Sequence, residues 1–218
     1  GTTPAVAGAA FVSRPDAEET APVMDAVARF DAETVTRLLL ADWARLGVID
    51  FLERRIAPVV HQVGEAWSEG TLQIRHEHFV SERIGDLLRT LRLPFESRAQ
   101  GPLVVFATLP GELHGLGLQM AALVVAAAGC RVLYLGTDVP IDQTAELAID
   151  INARAVAVSV SSASRVDAAR AQVADLRERL PRRVDLLAGG SGADVDFAGV
   201  QRFSTLSDLD VWARRIVA

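Results

Sequence analysis

Five short, almost uninterrupted apolar runs fill the second half of the chain, each followed by a segment of helix length. They are LVVFAT (103–108), RVLYLG (131–136), AVAVSV (155–160), VDLLAG (184–189) and a weaker VQRF (200–203). A strand that is apolar on both faces must be covered on both faces, as in a parallel sheet wrapped by helices. The intervening pattern predicts helices at 115–128, 140–151, 165–179, about 191–198 and 207–217. Such alternation specifies a doubly wound α/β unit, here a five-stranded parallel sheet.

Ahead of residue 93 the apolar period is that of helices. The segments APVMDAVARF, DAETVTRLLLADWARLG, VIDFLERRIAPVVHQVGEAWSEG and LQIRHEHFVSERIGDLLRTLR each read as one helix. In the second, Val35, Leu38, Leu39 and Leu46 follow the i, i+3, i+4 spacing with Asp42 as a polar intrusion, and Asp31 stands where a cap belongs. Four helices with short connections make a bundle. In LPFESRAQGP (93–102), Pro, Gly and charge replace periodicity, so the domain boundary is expected there. The expected organisation is a disordered leader over 1–20, a helical cap domain over 21–97 and an α/β domain over 98–218. The fold class is thus α + α/β, a four-helix bundle followed by a flavodoxin-like sheet. With 218 residues, half of them hydrophobic, the chain has enough apolar surface for both cores.

Charge excludes one large class of function. The formal net charge is −6 and no run of lysines or arginines offsets it, so no direct nucleic-acid contact by this chain is expected. The single cysteine, Cys130, follows an apolar helix and reads as a buried structural thiol. No apolar stretch has the roughly 18 to 20 residues a membrane span requires, and no signal pattern opens the sequence. A soluble cytoplasmic protein without a membrane partner is expected.

Chemistry concentrates in three loops that such a sheet would bring to one edge. They are LPGELHGLG after the first strand, SVSSAS (159–164) after the third and GGSG (189–192) after the fourth. Open parallel sheets bind ligands at the carboxyl ends of their strands. Glu112, two residues before His114, can accept one imidazole N–H and so make the other ring nitrogen a better metal donor. Gly115 and Gly117 remove side chains that would block a large planar ligand. Rival chemistries lack their patterns. PGELHGLG is not GxGxxG, and GKS or GKT, HExxH, CxxC and GxSxG are all absent. The sequence HEH on a helix sends His76 and His78 to different faces.

Taken in order, Glu112-x-His114-x-x-Gly117, Ser159-x-Ser161 and Gly189-Gly190 resemble the signature of cobalamin-binding domains that hold the corrinoid base-off. The intervals, 44 residues from His114 to Ser159 and 29 from Ser159 to Gly189, are similar to that family's. The resemblance implies that His114 is the cobalt ligand, that Glu112 supports it, and that Gly115, Leu116 and Gly117 lie against the cofactor. It also implies that Ser159, Ser161, Gly189 and Gly190 receive the displaced dimethylbenzimidazole tail. Trp67 with Glu77 and His78 ten and eleven positions on resembles the Trp-x9-Glu-His pattern of light-responsive adenosylcobalamin regulators. Burial statistics alone would make Trp67 a core anchor, and Glu77 and His78 part of a solvated charged face. The resemblance implies instead that all three cover the adenosyl group.

Two departures stand out. No winged-helix module precedes the bundle in this sequence, and Ser68 occupies the position after Trp67 where such regulators carry a histidine. His61, His76, His78 or water are the candidates for an upper ligand after light. Some relatives bind a bilin beside the corrinoid, and the sequence neither affirms nor excludes one here. The expected function is a cobalamin-dependent light sensor rather than an enzyme. It would signal through a homo-oligomer or a partner regulator once light breaks the cobalt–carbon bond. The alternatives are a corrinoid methyl-transfer shuttle and a corrinoid-free antirepressor.

Overall fold

The computed structural model describes residues 17–161, 165–193 and 199–218. Helices α1 (Ala17–Ala28) and α2 (Ala32–Arg45) open the chain. Asp31 caps α2, its carboxylate accepting from Thr34 N at 3.0 Å, and that hydrogen bond holds the Asp31 carboxyl below its ordinary pKa. The segment read as one helix over 48–70 is continuous but not uniform. It comprises α3 (Val48–Phe51), a π turn (Leu52–Ile56) and α4 (Ala57–Ser68). Pro58 explains the π turn, because it has no N–H to donate back to Arg54 and its ring crowds that carbonyl. The Ala57 N–H reaches Leu52 O instead, and Arg55 Nη1 approaches Arg54 O at 3.5 Å.

The last bundle helix, α5 (Ile74–Glu96), starts with a capping box in which Gln73 N donates to His76 Nδ1 at 3.0 Å. The His76 ring stacks on Phe30 with centroids 4.4 Å apart, which makes it a structural histidine. The loss of periodicity expected from residue 93 comes four residues late, since α5 runs through Pro94 to Glu96. An Arg92–Glu96 ion pair of 2.7 Å spans the proline, and Ser97 Oγ and Arg98 Nε both donate to Pro94 O.

The second half alternates β1 (Leu103–Thr108), α6 (Leu116–Ala127), β2 (Arg131–Gly136), α7 (Ile141–Asp150), β3 (Ala155–Ser159), α8 (Val166–Arg179), β4 (Asp185–Gly189), β5 (Gln201–Phe203) and α9 (Leu206–Val217). All neighbouring strands are parallel, in the order β2-β1-β3-β4-β5. The helix expected at about 191–198 is not seen at its start, where Ser191 and Gly192 form a turn, and 194–198 lie outside the described residues. Strand side chains alternate between two cores. Val104, Phe106, Ala155, Ala157 and Leu187 face α6 and α9, whereas Val105, Val156, Val158, Leu186 and Ala188 face α7 and α8. The sheet is therefore doubly wound, as its apolar strands require.

The first of these cores does not stop at the α/β half. It runs from Val23 and Val27 in α1, through Leu87 and Leu88 in α5, to Leu118 and Met120 in α6. Lying between sheet and bundle, α6 is apolar apart from Gln119. Helices α5 and α6 run in the same direction, because Gly85 abuts Leu116 and Gln119 at one end while Phe95 and Ala127 line one cavity at the other. The first turns of α5 consequently extend beyond the start of α6, past the carboxyl edge of the sheet. At 1.5 Å per residue, the eight residues from Gly85 back to Glu77 add about 12 Å of overhang.

A polar joint ties the bundle to α9. Glu53, in the π turn, accepts from Leu206 N at 3.0 Å and Ser207 N at 3.2 Å, the first amides of that helix. Glu53→Ala is expected to lower stability by about 1 to 2 kcal/mol and to speed hydrogen exchange at Leu206 and Ser207. Unchanged exchange at both amides would contradict the joint. Cys130 is fully buried, and burial pushes its thiol up to about 11. A thiol reagent at pH 8 should therefore label Cys130 only as the protein unfolds, and prompt labelling of native protein would refute this packing.

Candidate functional site

The loop between β1 and α6 holds its two ionisable side chains inward. Glu112 is 4% exposed and His114 9%, despite their position in a loop. The Glu112 carboxylate collects donors on both oxygens. His114 N donates to Oε1 at 2.8 Å and the His114 ring closes on the same oxygen through Nδ1. Ser161, just past β3, gives Oε2 its backbone N–H at 3.0 Å and its hydroxyl at 2.6 Å. Its Oγ also lies 3.1 Å from Nδ1. A carboxylate accepts only, so the shared proton sits on Nδ1 and the in-plane lone pair of the imidazole is on Nε2. The pairing expected between Glu112 and His114 is thus formed. Ser161 serves the same carboxylate rather than standing apart from it.

A second layer braces the loop. Thr108, the last residue of β1 and 1% exposed, donates through Oγ1 to Glu112 O at 2.5 Å and accepts from Asp138 N at 2.9 Å. Asp138 Oδ1 accepts from Gly111 N at 2.7 Å. Asp138 has a φ of 57°, unusual for a residue with a side chain, which marks a turn held by its surroundings. Sequence reading missed Thr108 and Asp138. The available signal was an Asp in the turn directly after β2, on the same sheet edge as the histidine loop.

Beside the loop a narrow slot of about 30 Å³ opens between α6 and the ends of β3 and β4, with Gly117, Ser159, Gly189 and Gly190 among its lining residues. Its glycines are of two kinds. Gly190 has a φ of 104°, and a Cβ there would stand 2.4 Å from Val160 O; at Gly192 it would stand 2.1 Å from Ser161 O. Those two let the third loop pass against the second. At Gly189 the nearest atom to a Cβ is Phe203 O at an ordinary 3.5 Å, so the fold tolerates a side chain and the slot does not. Gly115 caps α6 close to Thr137, where a Cβ would stand a crowded 3.1 Å from Thr137 Cγ2, and Leu116 begins the helix with 8% exposure. Ser162 to Ser164 of the second loop lie outside the described residues.

The bundle side chains of interest stand apart from this cluster. Glu77 is fully buried, which overturns the solvated-face alternative for it. Its Oε1 accepts from Ser81 Oγ at 2.9 Å and its Oε2 lies 2.8 Å from His78 Nδ1. His78 is exposed, and Trp67 is half-buried at the end of α4. His76 and His78 do point to different faces, and the capping bond that His76 accepts on Nδ1 commits it to helix structure. Ser68 Oγ donates locally to Glu65 O at 2.7 Å. Among the described residues, no group of three His, Cys, Asp or Glu side chains could hold a metal ion. A metal at His114 would have to bring its other ligands with it. Nor is any described helix long and apolar enough to cross a membrane.

Two family models, each described as a B12 binding domain, match residues 22–92 and 102–202. Between them they span both halves of the fold, and the chain belongs to the B12-binding domain family. It is 30% identical over 189 residues to the HTH-type transcriptional repressor CarH of Myxococcus xanthus; the match takes in 85% of this chain and 62% of the repressor. This chain therefore spans about three-fifths of that relative's length. It is also 28% identical over 145 residues to trimethylamine corrinoid protein 1 of Methanosarcina mazei, covering 64% of this chain and 67% of that one. The solved monomethylamine corrinoid protein of Methanosarcina barkeri shares the fold at a TM-score of 0.73, with 15% identity over 89% of this chain and 96% of that one.

The residues present suit the family's cofactor. An imidazole oriented through Nδ1 provides a single axial nitrogen, and beside it the glycine-lined slot marks the narrow path along which a thin group would enter between α6 and the sheet. Gly190→Ala is expected to destabilise the fold by more than about 2 kcal/mol, whereas Gly189→Ala should melt like the parent and lose corrinoid affinity. Equal melting temperatures for the two variants would contradict the assignment of the slot.

Proposed function

We propose that the chain is an adenosylcobalamin-dependent light sensor whose lower cobalt ligand is His114. The observation that carries this reading is the buried Glu112–His114–Ser161 cluster, which orients Nε2 at a sheet edge overhung by the first turns of α5. Adenosylcobalamin, when bound, supplies a cobalt–carbon bond that visible light breaks. Every other part of the device belongs to the protein. Glu112 holds the Nδ1 proton, which raises the donor strength of Nε2 and keeps the ring from rotating. Gly117, Ser159, Gly189 and Gly190 line the slot for the displaced nucleotide tail.

On the opposite side, Glu77 offers a buried carboxylate and Trp67 an aromatic face to an adenosyl group, and exposed His78 lies next to both the carboxylate and solvent. The burial of the Glu77 carboxylate on the overhanging part of α5 supports a covering role. The bundle is the element that would be biased by the loss of that group, since a ligand shifts a two-state equilibrium only through contacts that differ between the states. The output is a change in self-association or in contact with a partner regulator, without catalytic turnover. The identity with a transcriptional repressor over 85% of the chain favours this reading.

A methyl-transfer shuttle is the second reading, favoured by the 28% identity to a trimethylamine corrinoid protein. Absorption spectra of protein reconstituted in the dark with adenosylcobalamin, taken before and after green light, separate the two. The sensor reading expects a histidine-ligated, base-off spectrum that changes with light, together with a light-dependent sedimentation profile. It expects the ligated spectrum to be lost in His114→Ala and the light response to be altered in Trp67→Ala. A spectrum indifferent to light, with methylcobalamin bound as tightly, would establish the shuttle instead. Glu112→Gln should keep the fold and weaken corrinoid binding roughly 10- to 100-fold; undiminished affinity would show that the carboxylate does not tune His114.

A further inference from the structure

Gly85 lies in the interior of α5, a helix of 23 residues, where glycine costs about 1 kcal/mol relative to alanine. Its neighbour explains it. A Cβ at Gly85 would come within 3.3 Å of Gln119 Nε2, so the missing side chain makes room for the Gln119 carboxamide between α5 and α6. The other end of that carboxamide is unresolved chemically: Gln119 Oε1 is buried and has no hydrogen-bond partner. An orphaned acceptor of this kind costs about 1 to 3 kcal/mol unless something donates to it.

Gln119 forms part of the wall of an open groove of about 270 Å³ between α5 and the β2 edge, separate from the glycine slot. Leu113 and Gly115, the residues flanking His114 by one position, line the same groove, and Leu113 is 66% exposed. A macrocycle centred over His114 would therefore reach the groove with its rim. The remaining polar lining is set for hydrogen bonding. Tyr134 stays protonated, burial pushing its hydroxyl up to about 12 against the pull of Arg92 and Arg89. Arg89 is engaged by Asp86 at 3.0 Å. What the groove lacks is a donor for Gln119 Oε1.

We propose that this groove seats a peripheral carboxamide side chain of the corrinoid, whose N–H is donated to Gln119 Oε1, so that Gln119 selects the amidated macrocycle over its carboxylates. The inference rests on the corrinoid reading of His114 and assigns a second, rim-directed subsite to it. The chemistry discriminates in one direction. A primary carboxamide offers the missing donor, whereas the corresponding carboxylate is acceptor-only at neutral pH and would set two acceptors face to face. Gly85 has the supporting role of keeping the Gln119 carboxamide in place.

The test is equilibrium binding of cobalamin and of its separated monocarboxylates, each with one peripheral carboxamide hydrolysed, to the full chain and to Gln119→Leu. The wild type is expected to bind at least one monocarboxylate about tenfold more weakly than cobalamin, from the loss of one buried hydrogen bond and the unpaired acceptor it leaves. Gln119→Leu should remove that difference, bind cobalamin roughly fivefold more weakly, and melt without ligand at or above the wild-type temperature because the orphaned acceptor is gone. Gly85→Ala, which crowds the same carboxamide by another route, should also flatten the discrimination. Monocarboxylates that all bind like cobalamin, or a penalty that persists in Gln119→Leu and Gly85→Ala, would overturn the groove assignment alone. Wild-type protein that binds no cobalamin would remove the corrinoid reading and this subsite with it.

Discussion

The site depends on one buried carboxylate. Glu112 links the loop after β1 to the loop after β3, taking donors from His114 and from Ser161 on separate oxygens. Unpaired, a carboxylate at 4% exposure would be strongly unfavourable. With its acceptor capacity filled, it sets the tautomer and the orientation of His114 at once. The Thr108 and Asp138 bonds then hold the loop backbone, so the position of Nε2 is determined from two neighbouring strands rather than by the loop itself.

The same economy shapes the junction of the two halves. Helix α6 leads out of the histidine loop and lies between sheet and bundle, which is why it has no polar face. Parallel packing of α5 on α6 carries the first turns of α5 past the sheet edge, and Glu77 is buried there. A cover over the edge and the histidine loop at the edge are thus parts of one packing arrangement. The Glu53 joint at α9 ties the bundle to the α/β half a second time, through the π turn that Pro58 imposes.

Much of this was legible in the residues. Continuous apolar runs located β1 and β2 to the residue, and the alternation of two core faces followed from strand geometry. The Glu112–His114 pair was legible because a two-residue spacing in a loop allows direct contact. Ser161 was legible as a residue of the site but not in its role, since a bond between positions 47 or 49 apart depends on β1 and β3 being neighbours in the sheet. Glu77 was harder. In sequence it belongs to a charged stripe, and only the packing of the bundle removes it from water.

The sequence by itself determined the class of fold, the sheet edge at which the three loops come together and the pairing of Glu112 with His114, because periodicity and short-range spacing are local properties. Tertiary structure decided the rest. It distinguished Gly190 and Gly192, required by backbone approach, from Gly189, which borders open space. It made His76 a capping group and left His78 exposed, one helix position from the burial boundary. It also set Gln119 against Gly85 with an acceptor unanswered. The close approach of Gly190 and Gly192 to the second loop and of Gly85 to Gln119 joins residues 30 or more positions apart, and no local pattern carries that information.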